Sequence, residues 1–156
     1  MALVRILVDG YSLLHQWPEL APGRARFSAE ARDELIHVLT LYRDAVGTPI
    51  TIFFDGSSSN RGPRPKSNPD EVEVLYSKAG QTADQMIERA AHLYQPYGEV
   101  LAVTDDHAER DTVIAMGGLA SSCWNFVQTV QGTLTELQED IREHNRRERN
   151  RYGRRS

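Results

Sequence analysis

Leu3-Val4-Arg5-Ile6-Leu7-Val8-Asp9-Gly10-Tyr11-Ser12 is the stretch on which the reading of this chain turns. Residues 3–8 are apolar except for Arg5, and an aspartate followed by a glycine closes the run. A short run apolar on both faces suits a strand buried on both sides of a sheet. The pattern returns twice. Ile50-Thr51-Ile52-Phe53-Phe54 leads into Asp55-Gly56, and Val100-Leu101-Ala102-Val103-Thr104 leads into Asp105-Asp106. Residues 72–76 alternate Val, Glu, Val, Leu, Tyr and read as an edge strand.

Helical periodicity lies between these runs. Ala31, Leu35, Val38, Leu39, Tyr42 and Val46 share one helical face, with Ser28 as N-cap and Gly47 and Pro49 as the stop. A second helix opens at Thr82, where Thr82 and Gln85 have capping-box spacing, and Met86, Ile87, Ala90 and Tyr94 form its apolar stripe. A third starts near Asp106 and stops at Gly117-Gly118. A fourth starts near Asn125, with Phe126, Val130, Leu134, Leu137 and Ile141 on one face. Trp17 reads as a loop anchor, and Trp124 as packing under the last helix. Strands alternating with helices predict an α/β fold with a mainly parallel sheet. The segment 56–71, with four Ser and three Pro, is an unusually long loop. Such loops are often functional, the other reading being a surface excursion.

Charge is split along the chain. The 156 residues sum to −4, but residues 1–141 hold 11 basic and 20 acidic side chains (−9), and residues 142–156 hold seven arginines and two glutamates (+5). The expected organisation is therefore a domain over 1–141 and an arginine-rich tail over 142–156. One cysteine, Cys123, excludes an internal disulfide and a multi-cysteine zinc site. No stretch is long enough to span a membrane, and the first apolar run is too short for a signal peptide. The expected location is the cytoplasm.

Ligands in open parallel sheets bind beyond the carboxyl ends of the strands. Asp9, Asp55, Asp105 and Asp106 all follow strands and should meet at that edge, and Asp84 joins them if its helix starts there. Carboxylates brought together repel unless a cation neutralises them, and an all-oxygen donor set favours Mg²⁺ or Mn²⁺. Such a centre suits phosphoryl chemistry, where the metal activates water and stabilises charge on phosphate. Taken singly, each aspartate has a simpler explanation. Asp55 before Gly56 is turn chemistry, Asp84 suits a first helical turn, and Asp106 with Glu109 has capping spacing. Three coincident strand ends favour the shared site. Glycine-rich dinucleotide and P-loop motifs are absent, as is a G-x-S-x-G elbow. Tyr11 stands where an aspartyl-phosphate phosphatase would carry a second aspartate.

The ordered motifs resemble a known family. Ile6-Leu7-Val8-Asp9-Gly10-Tyr11-Ser12 resembles the V-D-G-Y-N opening of NYN domains, and Phe53-Phe54-Asp55-Gly56 their second strand motif. The run from Tyr76 to Thr82-Ala83-Asp84 resembles the segment that ends in T-A-D, and Val103-Thr104-Asp105-Asp106 resembles T-S-D. Order and spacing are similar to the YacP-like branch, over roughly residues 3–130. The resemblance implies a PIN-like, three-layer α/β/α fold with an acidic pocket and Mg²⁺- or Mn²⁺-dependent endoribonuclease activity. It implies Asp9, Asp55, Asp84 and Asp106 as the acidic, metal-holding residues, with Asp9, Asp84 and Asp106 catalytic and Asp105 able to substitute for or assist Asp106. Ser12 departs from the family's asparagine, and a hydroxyl reaches less far than an amide.

An acidic pocket needs cations elsewhere to hold RNA. Arg61, Arg64 and Lys66 on the long loop and Lys78 before the Thr82 motif are candidates, with Ser12 and Tyr11 beside the pocket. The tail, with Arg146 and Arg147 among its seven arginines, reads either as a solvated helix or as an RNA or ribosome contact. Two other functions compete: an RNA-binding module that does not cut, and an adaptor whose last helix pairs with a partner.

Overall fold

The computed structural model describes residues 3–56 and 68–153. Five parallel strands form one sheet: β1 (Leu3–Asp9), β2 (Ile50–Phe54), β3 (Glu73–Tyr76), β4 (Glu99–Val103) and β5 (Leu119–Ser121). Their spatial order is β3-β2-β1-β4-β5. The chain thus winds outward from β1 to β3, returns to the other side of β1, and winds outward again. The reversal point lies between β1 and β4, where a crevice opens beyond the strand ends.

Both faces of the sheet are covered. On one face, Ile6, Val8, Ile50, Ile52, Phe54 and Val103 pack against α1 (Gly10–His15), α2 (Ala29–Val46) and the first turns of α5 (Cys123–Gly153). On the other, Leu7, Phe53, Val100 and Ala102 pack against α3 (Ala83–Tyr94) and α4 (His107–Ala115). Adjacent residues of one strand enter opposite cores because side chains alternate across a sheet. This explains why the three inner runs carry few polar residues.

Helix boundaries follow local chemistry. Ser28 Oγ accepts from Ala31 N, and Gly47, at φ 78°, ends α2 in the left-handed conformation that glycine tolerates. Thr82 and Gln85 form both bonds of the expected capping box. Besides two 3-10 turns, at Pro18–Leu20 and Gln95–Tyr97, one helix and one strand were not expected. Helix α1 starts directly at Gly10, where a Cβ would overlap the Phe54 ring. Strand β5 is three residues long, too short for a periodic pattern.

The last helix departs from expectation in two of its contacts. It begins at Cys123, near the expected start, and runs unbroken through residues 141 and 142 to Gly153. Phe126 and Val130 are buried as expected and Leu134 packs against the core, but Leu137 and Ile141 are 42% and 51% exposed. Their face continues past the end of the body. Trp124 is 59% exposed rather than packed beneath the helix. From Thr135 to Gly153 only Glu148 is even half-buried, so about 28 Å of helix projects beyond the core at 1.5 Å per residue. Trp17, by contrast, is buried and anchors its loop. No described helix is long and apolar enough to cross a membrane.

Candidate metal centre

Three carboxylates converge in the crevice at the reversal point. Asp9 ends the central strand, Asp84 lies in the first turn of α3, and Glu109 lies in the first turn of α4. One oxygen from each falls within 4.8 Å of the others. Asp9 and Asp84 line an open cleft of about 350 Å³ with Tyr11, Ser12, Phe27, Asp55, Thr82 and Ala83. Glu109 is 3% exposed and sits beneath it.

The electrostatics are those of carboxylates crowded into a buried crevice. Burial, opposed in part by hydrogen bonds from Ser12, raises the Asp9 pKa to about 6, and the nearby Asp84 charge adds to the rise. Glu109 rises to about 9, first through burial and then through Asp84 and Asp9, while Thr104 works against the shift. Among the described residues, the buried Glu109 Oε1 has no hydrogen-bond partner. A buried carboxylate oxygen left unpaired is costly unless a cation or proton meets it. An all-carboxylate set of this spacing fits a hard divalent cation such as Mg²⁺ or Mn²⁺. Asp9, Asp84 and Glu109 are the residues that would hold it.

Glu109 is the member of this group that the sequence reading did not single out. Its spacing from Asp106 read as a capping box, and half of that box exists. Asp106 Oδ1 accepts from Ala108 N at 2.9 Å and Glu109 N at 3.3 Å. The return bond is absent, because the Asp106 N–H is donated to Thr104 Oγ1 at 3.2 Å. The Thr104 hydroxyl in turn donates to Glu109 Oε2 at 3.4 Å. The glutamate is thereby released from capping and turned into the crevice.

The other predicted acids have different places. Asp106, expected as a catalytic acid and metal ligand, is the N-cap of α4, so the third carboxylate of the group is Glu109 instead. Asp105 Oδ1 accepts from Cys123 N at 2.9 Å and holds the start of α5. Burial, with the Asp105 charge beside it, pushes the Cys123 thiol far up and keeps it protonated. Asp55 lines the cleft but lies outside the three-acid group. Its carboxylate accepts from the buried Ser77 Oγ at 3.2 Å, and that oxygen accepts from Gly56 N at 2.8 Å. Ser12 N donates to Asp9 Oδ1 at 3.3 Å. Tyr11 packs against Phe27 and Phe54, with ring centroids 5.2 and 4.9 Å away. Lys78 is exposed on the loop between β3 and α3. Arg146 and Arg147 lie on the projecting end of α5, where Arg147 pairs with Glu143 at 2.6 Å. Arg61, Arg64 and Lys66 lie outside the described residues.

Comparison with known proteins now bears on this geometry. The model of the YacP-like NYN domain matches residues 6–155. The chain belongs to the YacP-like NYN domain family. It is 28% identical over 138 residues to the uncharacterized protein YacP of Bacillus subtilis strain 168, covering 88% of this chain and 81% of that one. The crystal structure of Rae1 (YacP) from Bacillus subtilis superposes with a TM-score of 0.74 at 26% identity, covering 95% of this chain and 84% of that one. A tryptophan-to-leucine mutant of the same protein gives 0.77 at 26% identity, with coverage of 92% and 84%. The YacP-like NYN fold is thus a PIN-like nuclease fold, here with a cluster of acidic residues at the strand ends.

Proposed function

We propose that this protein is a divalent-metal-dependent endoribonuclease. The observation that carries the reading is the convergence of Asp9, Asp84 and Glu109 around a buried, unpartnered carboxylate oxygen in a PIN-like nuclease fold. Mg²⁺ or Mn²⁺ bound there would activate water and stabilise negative charge on the scissile phosphate. The protein's own part is to hold three acids together and aligned, and a bound cation would favour their deprotonated forms. Asp9 is fixed by the Ser12 N–H, and Glu109 by the Thr104 hydroxyl. Asp106 acts through α4, whose first turn it caps. Asp55, held by Ser77, stands at the cleft wall to orient substrate or a water.

The substrate in this reading is RNA, met in the cytoplasm, where a lone thiol such as Cys123 stays reduced. Arg142, Arg146, Arg149 and Arg151 on the projecting end of α5 add cations to a body that is acidic on balance, either for free RNA or for RNA within a ribosome. The test is cleavage of single-stranded RNA by purified protein with Mg²⁺ or Mn²⁺. Cleavage abolished by EDTA, by Asp9→Asn and by Glu109→Gln is expected. Activity that survives EDTA and Asp9→Asn overturns the mechanism. Metal-independent binding without cleavage would assign the fold to a non-cutting RNA-binding module.

A further inference from the structure

Among the described residues, the helical cover on one side thins at the sheet edge. Helix α3 packs mainly over β1, β4 and β2, and α4 over β4 and β5, which leaves the edge strand β3 less covered on that side. Between that strand and α3 runs an open groove of about 620 Å³. Leu75, Met86, Leu93 and Tyr97 line it, and Leu75, Leu93 and Tyr97 are 40%, 62% and 76% exposed. Lys78 and Arg89 also line it, and among the described residues neither cation has an ion-pair partner. The groove's acid, Glu73, is already engaged by Thr51 and Arg5. In a body that carries −9 over residues 1–141, an apolar groove edged by two free cations is a local exception.

The upper end of the groove is the loop between β3 and α3. Gln81 of that loop lines the groove, and its neighbours Thr82, Ala83 and Asp84 line the acidic cleft. The two concavities therefore share a wall. Cations at intervals beside an apolar, aromatic surface are what single-stranded nucleic acid needs: charge for the phosphates and a flat surface for the bases. We infer that this groove binds the bases of the RNA strand flanking the scissile phosphate, with Lys78 and Arg89 on its phosphates and Tyr97 stacked on a base. The inference rests on RNA being the substrate. An amphipathic protein helix would also cover the apolar floor, but the continuity with the cleft favours the strand being cut.

The test is fluorescence anisotropy in EDTA with a labelled single-stranded RNA of about a dozen nucleotides, a length that outreaches the cleft. A trinucleotide serves as a probe of the cleft alone. Lys78→Ala with Arg89→Ala should weaken binding of the longer RNA and lower its salt slope by about 1.4, at roughly 0.7 for each lost phosphate contact on a single strand. Tyr97→Ala should weaken it by about fivefold or more without changing the salt slope, and Tyr97→Phe should keep wild-type affinity because the ring remains. Trinucleotide binding should be unaffected by Tyr97→Ala. Thermal unfolding checks that these surface variants remain folded. If wild-type protein binds the longer RNA and every variant binds it equally, the groove assignment falls while the nuclease reading stands on its own cleavage test. If wild-type protein neither binds nor cuts RNA, both fall. Dimerisation that Tyr97→Ala abolishes, with RNA affinity kept, would give the groove to a second copy and overturn the inference.

Discussion

The Thr104 hydroxyl donates to Glu109 Oε2 across 3.4 Å inside the protein, with both residues almost wholly buried. This bond joins the end of β4 to the first turn of α4 and sets the direction of the third acid. Thr104→Val should preserve the fold and lower metal affinity or activity by about 10–100-fold, the usual cost of removing a residue that orients a ligand. Glu109→Gln should cost more, because it removes the ligand charge itself. Isothermal titration with Mn²⁺ compares the two, and equal affinity in wild type and Glu109→Gln would remove Glu109 from the centre.

Asp106 and Glu109 can be separated by chemistry. Asparagine caps helices as well as aspartate does, whereas alanine costs about 1 kcal/mol. Asp106→Asn should therefore retain stability and most of the activity, and Asp106→Ala should lose roughly 0.5–2 kcal/mol. Denaturant unfolding together with a cleavage assay reads both. Loss of activity in Asp106→Asn with unchanged stability would return Asp106 to the metal.

Metal-free protein should lose stability as pH rises. Asp9 and Glu109 have folded pKa values near 6 and 9, raised above the ordinary carboxylate values of 3.8 and 4.5. Between the ordinary and the raised values the folded state binds more protons than the unfolded state, so stability falls with pH across that window. For Asp9 the loss is complete near pH 6, and for Glu109 it continues toward pH 9. Bound cation replaces those protons. The stabilisation by Mg²⁺ should therefore grow with pH, and urea unfolding with and without EDTA at several pH values measures it.

Gly10→Ala should be destabilising although the residue stands at a helix start, where alanine is normally tolerated. The added methyl overlaps the Phe54 ring, and overpacking of this kind costs about 1–3 kcal/mol. Thermal unfolding is the measurement, and a neutral result would show that Phe54 moves aside freely.

Deleting residues 142–156 should leave the melting temperature of the body nearly unchanged, because the projecting part of α5 buries almost nothing. RNA affinity should fall and become less sensitive to salt, as five arginines of that helix and two more beyond it are lost. Unchanged RNA affinity would make the projecting helix a solvated surface.

Much of this was legible in the chain. The runs ending at Asp9, Asp55 and Asp105 are apolar on both faces because both faces are buried, so the parallel sheet could be read directly. Ser28, Gly47 and Thr82 act on their own neighbours, and local bonds follow from local sequence. Glu109 was hidden for the same reason. Its spacing from Asp106 satisfied a local rule, and what redirects it is the Thr104 hydroxyl, five residues back in the turn after β4, a bond that no capping pattern shows. Trp124 and the outer turns of α5 were misjudged because periodicity shows which face is apolar, not where the core beneath that face stops.

The order of the strands has a consequence for synthesis. Asp9 leaves the ribosome early, Asp84 much later, and Glu109 later still, and β5, which completes the β4 side of the sheet, follows it. No partial chain ending before α4 holds all three acids. A nascent chain of this protein therefore cannot assemble the three-acid crevice until the first turn of α4 has been made.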